Sequence, residues 1–307
     1  MDLSIVTTLY HSAPFLEEFY KRICAEAEKV TDNYEIILVN DGSPDNSLDI
    51  AIGLYESDVR VRVIDLSRNF GHHKAIMTGL MYAKGNLVFL MDCDLEEDPE
   101  LFGKFYKEFK NSNADVIYGV QQSRKGGFFE RITGLIFYKL LNLLSNYPIP
   151  ENLTTIRLMS KRYVSSLLEH REREIVIGGL WAITGYNQIP MVVKKKYKGN
   201  STYNLGKKMS YFFTFISSFS NKPLDFIFYL GLIVSSTSIM AALYLVIRRI
   251  FFGDLLTGWP SLIVSIWLLG GITIFCLGII GIYLSKIFVE TKDRPYTIIR
   301  QIYERNV

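Results

Sequence analysis

Two stretches without a charged side chain set the outer limits on what this chain can become: 22 residues from Phe226 to Ile247 and 31 from Leu255 to Ser285. Each exceeds the about 20 residues that carry a helix across a hydrocarbon core. They predict a two-helix transmembrane hairpin, spans 226–247 and 261–285 within region 223–289, with Trp259 near one interface. Lys207, Lys208 and Lys222 precede the hairpin, and Lys286, Lys292, Arg294 and Arg300 follow it, which puts both termini in the cytosol. Arg248 and Arg249, expected in the outer connection, oppose that orientation and are outnumbered. Gly231 with Ser235, and Gly270 with Gly271, are small enough for close helix contact.

Before about Asn221 charged residues are plentiful, and the opening MDLSIVTTLY has neither a basic leader nor a cleavable apolar core. The expectation is a cytosolic region 1–200, an interfacial segment 201–222, and a cytosolic tail 290–307. A net charge of +3 gives no argument for nucleic acid. Cys24, Cys93 and Cys276 lack metal-ligand spacing and read as reduced packing residues.

The first 120 residues alternate. Strands are predicted at Leu3–Thr7, Glu35–Asn40, Val61–Asp65, Leu87–Met91 and Ala114–Val120, and helices at Ala13–Val30, Leu48–Tyr55, His73–Ala83 and Pro99–Lys110. That order implies a parallel sheet with helices on both faces and ligands at the carboxyl ends of the strands. After the first strand the chain reads LYHSAP where a dinucleotide fold wants G-x-G-x-x-G, so an NAD site is a poor fit.

Two of those ends are acidic, Asp41-Gly42-Ser43 and Asp92-Cys93-Asp94. If extended backbone persists through Cys93, Asp92 and Asp94 leave one face of the strand end. Close carboxylates repel unless a cation sits between them, and oxygen ligands suit Mg²⁺ or Mn²⁺, ions that also grip phosphate. The plainer alternative is an acidic turn after a buried strand. Asp41 ahead of Gly42-Ser43 is equally readable as a turn residue.

The stretches VNDGSPDNS at 39–47, LSRNFGHHKAIMTGL at 66–80, MDCDLEEDPE at 91–100, YGVQQSR at 118–124, IRLMSKRYV at 156–164 and SFSNKPL at 218–224 together resemble glycosyltransferase family 2. The resemblance is to its polyprenyl-phosphate branch, which includes dolichol-phosphate mannose synthases and their bacterial two-span relatives. It implies a GT-A fold, an α/β Rossmann-like nucleotide-diphospho-sugar transferase domain, and transfer of a sugar from a nucleotide-sugar donor to a polyprenyl phosphate at the bacterial inner membrane. By the same resemblance Thr7, Leu9 and Tyr10 line the base pocket and Asp41 hydrogen-bonds the base. Asp92 reaches ribose or metal, Asp94 binds the metal bridging the diphosphate, and Arg68, Asn69 and His72 belong to a signature loop near the donor. His72 is also readable as a structural histidine, and His73 is expected to face solvent.

The departures from the family pattern bear on chemistry. Relatives commonly read D-L-Q-x-P-P where this chain has Asp94-Leu95-Glu96-Glu97-Asp98-Pro99, so Glu96 is either a further metal ligand or a solvated charge. Upstream of IRLM an aspartate, the favoured base, is replaced by Thr154-Thr155. A lipid phosphate needs no base, because its second pKa near 6, as in a phosphorylated side chain, leaves it ionised. It needs positive charge, and Arg124, Lys125, Arg131, Lys194, Lys195, Lys196 and Lys198 are candidates. The resemblance favours Arg131 and Lys196 as catalytic clamps, with Arg124 beside them on the acceptor phosphate. Gln121 stands where relatives are often basic, and the plainer alternative for the lysine run is a solvated basic face attracted to anionic headgroups. A hydroxyl acceptor would need a carboxylate base, and Glu172 or Glu174 is the candidate. A silent nucleotide-binding scaffold is the reading from another class.

Two further stretches predict amphipathic interfacial helices. In 128–145 Arg131, Tyr138, Asn142 and Ser145 share one stripe; in 205–219 Lys207, Ser210, Thr214, Ser217 and Ser218 oppose Met209, Phe212, Phe213, Ile216 and Phe219. The resemblance also allows a homo-oligomer.

Overall fold

A computed structural model describes residues 1–121, 152–196, 214–252 and 258–305. In order they form β1 (Leu3–Leu9), α1 (Leu16–Ala27), β2 (Tyr34–Asn40), α2 (Ser47–Ser57), β3 (Val61–Leu66), α3 (His72–Met81), β4 (Leu87–Leu90), α4 (Leu101–Asn111), β5 (Val116–Gln121), β6 (Leu153–Ser160), α5 (Lys161–Leu168), α6 (Ile177–Ile183), β7 (Gln188–Val193), α7 (Lys222–Phe252), α8 (Trp259–Thr291) and β8 (Ile299–Tyr303). These residues fall into two units, one holding all eight strands and residues 293–305, the other the two long helices.

The strands make one sheet in the order β7-β5-β6-β4-β1-β2-β3-β8. β3, β2, β1 and β4 run parallel, with Leu9 opposite Asn40, Asn40 opposite Asp65 and Val6 opposite Leu90, so their carboxyl ends share one edge. β2 is buried at all seven positions, which is why YEIILVN reads as an almost unbroken apolar run. Helix α1 turns Leu16, Phe19, Ile23 and Ala27 inward at helical spacing. On α4 the rings of Phe102 and Phe105 reach Phe89 of β4, with centroids 4.9 and 6.0 Å apart. Each such side chain contributes about 1.5–3 kcal/mol by leaving water.

The all-parallel expectation is corrected. β6 lies between β4 and β5 and is antiparallel to both, so β5 is separated from β4 although it follows it in sequence. A strand's direction is set by the path of the chain into it, and periodicity carries no record of that path. The tail also differs from expectation: residues 299–303 return to the sheet as β8, antiparallel to β3.

In the second unit α7 and α8 each contain a segment long and apolar enough to cross a membrane, Lys222–Ala241 and Ser265–Thr291, with no part of either buried. Trp267 is 78% exposed and Ile274 72%. α7 continues past the first of these segments, through Arg248 and Arg249, to Phe252. Among the described residues a Cβ added at Gly231, Gly270 or Gly271 would meet nothing within 4 Å. Residues 214–219 are helical, whereas the rest of 205–219 and all of the predicted helix 128–145 lie outside the described residues.

Candidate active site

Four loops leave the shared carboxyl edge, and backbone hydrogen bonds bind them to one another. After β1, the N–H groups of His11, Ser12 and Ala13 donate to Ser43 Oγ (2.8 Å), Ser47 Oγ (2.9 Å) and Asp45 Oδ2 (3.1 Å) of the loop after β2. Against the upward push of burial, donation from Ser43, Ser47 and Ala13 holds the Asp45 carboxyl down at about 2. Asp41 accepts the N–H of Phe70 at 2.7 Å and of Gly71 at 3.0 Å, and so fastens the loop after β3. Burial raises its carboxyl above the usual range even though those two donors oppose the shift. Gly42, at φ +60°, lets the same loop come close: a Cβ there would lie 2.5 Å from Arg68 C and Asn69 N.

The loop after β3 carries Arg68, which donates to the Asn69 carbonyl (2.9 Å) and lies over the Phe70 ring at 4.1 Å. It delivers His72 to the first position of α3. There His72 Nδ1 is 3.0 Å from Thr8 Oγ1, and Nε2 is 3.5 Å from Asp92 Oδ1. One imidazole therefore joins the ends of β1, β3 and β4. Sequence reasoning missed Thr8, although alternation along β1 singles it out: Thr7 and Leu9 are fully buried, while Thr8 and the exposed Tyr10 point away from the core. Leu9 belongs to the hydrophobic core, which corrects its place in the base pocket, and Thr7 Oγ1 is buried with no hydrogen-bond partner among the described residues.

The acidic loop is a turn. β4 stops at Leu90, Asp94 Oδ1 accepts the Glu96 N–H at 3.0 Å, and Leu95 takes φ +58°. The extended path through Cys93 is thus not kept; Cys93 is buried and its thiol donates to the Thr8 carbonyl at 3.4 Å. Glu96 pairs with Lys195 at 2.8 Å. Lys196 pairs with Asp98 at 2.5 Å, and Arg22 reaches the same carboxylate at 3.0 Å and Glu100 at 2.5 Å. The two lysines therefore tie the chain leaving β7 to the acidic loop, and the Lys196 N–H also donates to the Glu96 carbonyl. Glu96, expected at a metal, is thus engaged by Lys195, and Lys196, expected at a phosphate, lies in an exposed pair with Asp98. Arg124 and Arg131 lie outside the described residues.

Glu97, which the motif comparison passed over, is 1% exposed, and its Oε1 has no hydrogen-bond partner among the described residues. Burial pushes its carboxyl up to about 7, offset by Lys195 and reinforced by Asp92 and Asp94. His73 is corrected as well. It is half-buried with Nδ1 3.1 Å from the Ile175 carbonyl, and burial lowers its pKa. That contact brings the loop bearing Glu174 to the start of α3. Arg157 of IRLM is buried on β6 with its guanidinium 2.9 Å from the Trp181 ring centroid, and desolvation pulls its pKa down to about 9.

Among the described residues no group of three or more His, Cys, Asp and Glu side chains is arranged to hold a metal ion. Asp92 and Asp94 still suit a hard cation, because Mg²⁺ takes one or two carboxylates and completes its shell with phosphate oxygens and water. Glu96, occupied by Lys195, does not fit that set.

A mixed α/β sheet with an acidic turn after β4 and a histidine-bearing loop after β3 is a GT-A type transferase fold. The sequence model described as Glycosyl transferase family 2 matches residues 4–168. The chain belongs to that family and is a glycosyltransferase. It is 55% identical over 303 residues to a protein called "Putative glycosyltransferases" of Mycobacterium tuberculosis (strain CDC 1551 / Oshkosh), covering 99% of this chain and 89% of that one. It is 32% identical over 309 residues to the bactoprenol glucosyl transferase of Shigella phage SfII, covering all of both. Among solved structures, mannosyl-3-phosphoglycerate synthase from Rubrobacter xylanophilus is similar with a TM-score of 0.49 at 18% identity, over 71% of this chain and 73% of that one.

Proposed function

We propose that this chain transfers one sugar, with inversion, from a nucleotide-sugar donor to a polyprenyl phosphate at the cytosolic face of a bacterial membrane. The observation that carries the reading is the pairing, within one chain, of the Thr8–His72–Asp92 cluster with two exposed apolar helices of spanning length. A family 2 relative named as a bactoprenol glucosyl transferase, aligned end to end, supports a lipid acceptor and glucose as the first sugar to test.

Asp92 and Asp94 would hold Mg²⁺ or Mn²⁺, which supplies charge neutralisation at the leaving diphosphate. Tyr10, Arg68 and Asn69 stand on the loops that would receive the base and ribose, and Asp41 keeps the second of those loops in place. His72 orients Asp92 through its Nε2 contact with Oδ1. An ionised acceptor phosphate needs no proton removed, which accommodates Thr154 and Thr155 where relatives have an aspartate. The test incubates membranes containing the chain with labelled UDP-, GDP- and dTDP-sugars and added undecaprenyl phosphate. Label in a singly glycosylated lipid phosphate is the expected result; label that appears only when a lipid-linked glycan is supplied refutes the phosphate acceptor.

A further inference from the structure

The loop from Ser67 to Gly71 is held at two ends by different parts of the chain. Its far end hangs from Asp41, through the Phe70 and Gly71 N–H groups. Its near end is held by the C-terminal strand. Ser67 N–H donates to the Ile298 carbonyl at 2.9 Å, and the Ser67 carbonyl accepts from Arg300 Nη2 at 2.7 Å. Both backbone groups of the loop's first residue are therefore satisfied by residues that come after α8.

Arg300 also reaches inward. Its Nη1 is 3.2 Å from Asp65 Oδ2, on a carboxylate only 2% exposed, whose other oxygen accepts from Asn40 Nδ2 at 2.8 Å. Asn40 Oδ1 in turn accepts the Ser43 N–H at 3.2 Å, and Ser43 Oγ accepts the His11 N–H. A continuous hydrogen-bonded path thus runs from the C-terminal strand through the ends of β3 and β2 to the loop after β1. The pairing of Leu66 with Ile299 and of Asp65 with Gln301 sets its register, with an irregularity between Asp65 and Leu66 where the loop begins to leave the sheet. Thr297, whose hydroxyl is 2.9 Å from that of Thr78, fastens the same segment to α3, the helix that carries His72. A strand that only covered a sheet edge would need its backbone ladder alone. Here an arginine side chain leaves the ladder to cap the carbonyl where the signature loop starts.

We propose that residues 297–303 are a working part of the donor site, and that Arg300 is a positioning residue that holds loop 67–71 in its donor-receiving shape. The inference rests on the reading of that loop as a donor loop. It also gives the segment after α8 a role in turnover, since the chain that leaves the second apolar helix at Thr291 is the chain that fixes the loop.

The experiment compares full-length wild type, Arg300→Ala and Arg300→Lys in detergent by hydrogen exchange and by steady-state kinetics. In Arg300→Ala, amides in peptides covering 66–72 are expected to exchange about 3–10-fold faster, since one charge-assisted, partly exposed contact is lost. Peptides in β1 and β4 should be unchanged. The donor KM should rise by a similar factor with the lipid-phosphate KM unaltered, and Arg300→Lys should fall between. Should Arg300→Ala not fold, Arg300→Lys alone decides, by the same direction of change. Unchanged exchange in 66–72 in a folded variant overturns the inference, as does an equal rise of both KM values. A wild type that transfers no sugar from UDP-, GDP- or dTDP-linked donors overturns the proposed function instead, and the exchange measurement then decides this inference alone.

Discussion

Glu97→Gln separates the cost of burying a charge from every other property of the acidic loop. In the folded chain this carboxyl titrates at about 7 against a reference of 4.5, chiefly because it is buried and because Asp92 and Asp94 add like charge. Between those two values the folded state binds more protons than the unfolded one, so stability falls as pH rises through the window and levels off above it. The full cost is the difference of about 2.5 units, or roughly 3 kcal/mol at 1.36 kcal/mol per unit. By pH 5.5 about 1.4 kcal/mol of it has been incurred and by pH 8.5 nearly all, leaving about 2 kcal/mol between the two conditions. Glutamine has no such dependence. The variant should gain about 4–8 °C in Tm relative to wild type at pH 8.5 beyond whatever it gains or loses at pH 5.5, taking about 2–4 °C per kcal/mol. Differential scanning fluorimetry in detergent with a chelator present measures both, and the chelator keeps divalent ions off Asp92 and Asp94. The constant costs of an amide at this site cancel in the comparison. The same Tm shift at both pH values would refute the buried-charge argument.

Asp94→Asn should abolish transfer in a protein that still folds and inserts, because a cation at the diphosphate loses an anionic ligand; near-normal turnover with Mg²⁺ or Mn²⁺ removes the metal assignment. Lys196→Ala should raise the KM for lipid phosphate more than that for donor if the ammonium leaves Asp98 for the acceptor, whereas equal effects mean that the lysine serves only to tether the acidic loop. Glu174→Gln should keep most activity with a phosphate acceptor. If a hydroxyl is the acceptor, loss of a general base should cost about 10²–10⁴-fold, measured as initial rates with donor affinity unchanged.

What the sequence discloses here follows the range of the interactions involved. The apolar runs of β1 to β4 and the helices between them are local patterns, and each of those predicted elements overlaps an observed one. The aspartates at 41, 92 and 94 and the loop from 68 to 72 are also local, since a motif is a contiguous string. The insertion of β6 between β4 and β5 is a different kind of fact, as is the return of 299–303 to β3, because both depend on pairings more than 60 residues apart. The partners of side chains are equally non-local. Nothing near Lys195 in the string says that it meets Glu96, or near His73 that it meets Ile175. Glu97 was hidden for another reason: one acid in a run of three gives no sign that it alone points inward, and only burial distinguishes it.

The ion pairs of the acidic loop bear on whether lysines read from the sequence as phosphate ligands can serve as such. Lys196 and Asp98 have side chains 61% and 40% exposed, and at that exposure an ion pair is worth only about 0–1 kcal/mol. Asp98 would also not be stranded if the lysine left, because Arg22 remains 3.0 Å away. An incoming anion could therefore take Lys196 at small cost. Lys195 differs: it is 29% exposed, its partner Glu96 is 24% exposed, and it faces the buried Glu97 as well. Withdrawing it would leave two carboxylates uncompensated in a poorly solvated loop, which is far more costly than breaking a surface pair. The two neighbouring lysines are thus unequal, one fixed in the loop and one exchangeable, and an acceptor phosphate recruited from this side would be bound by the second.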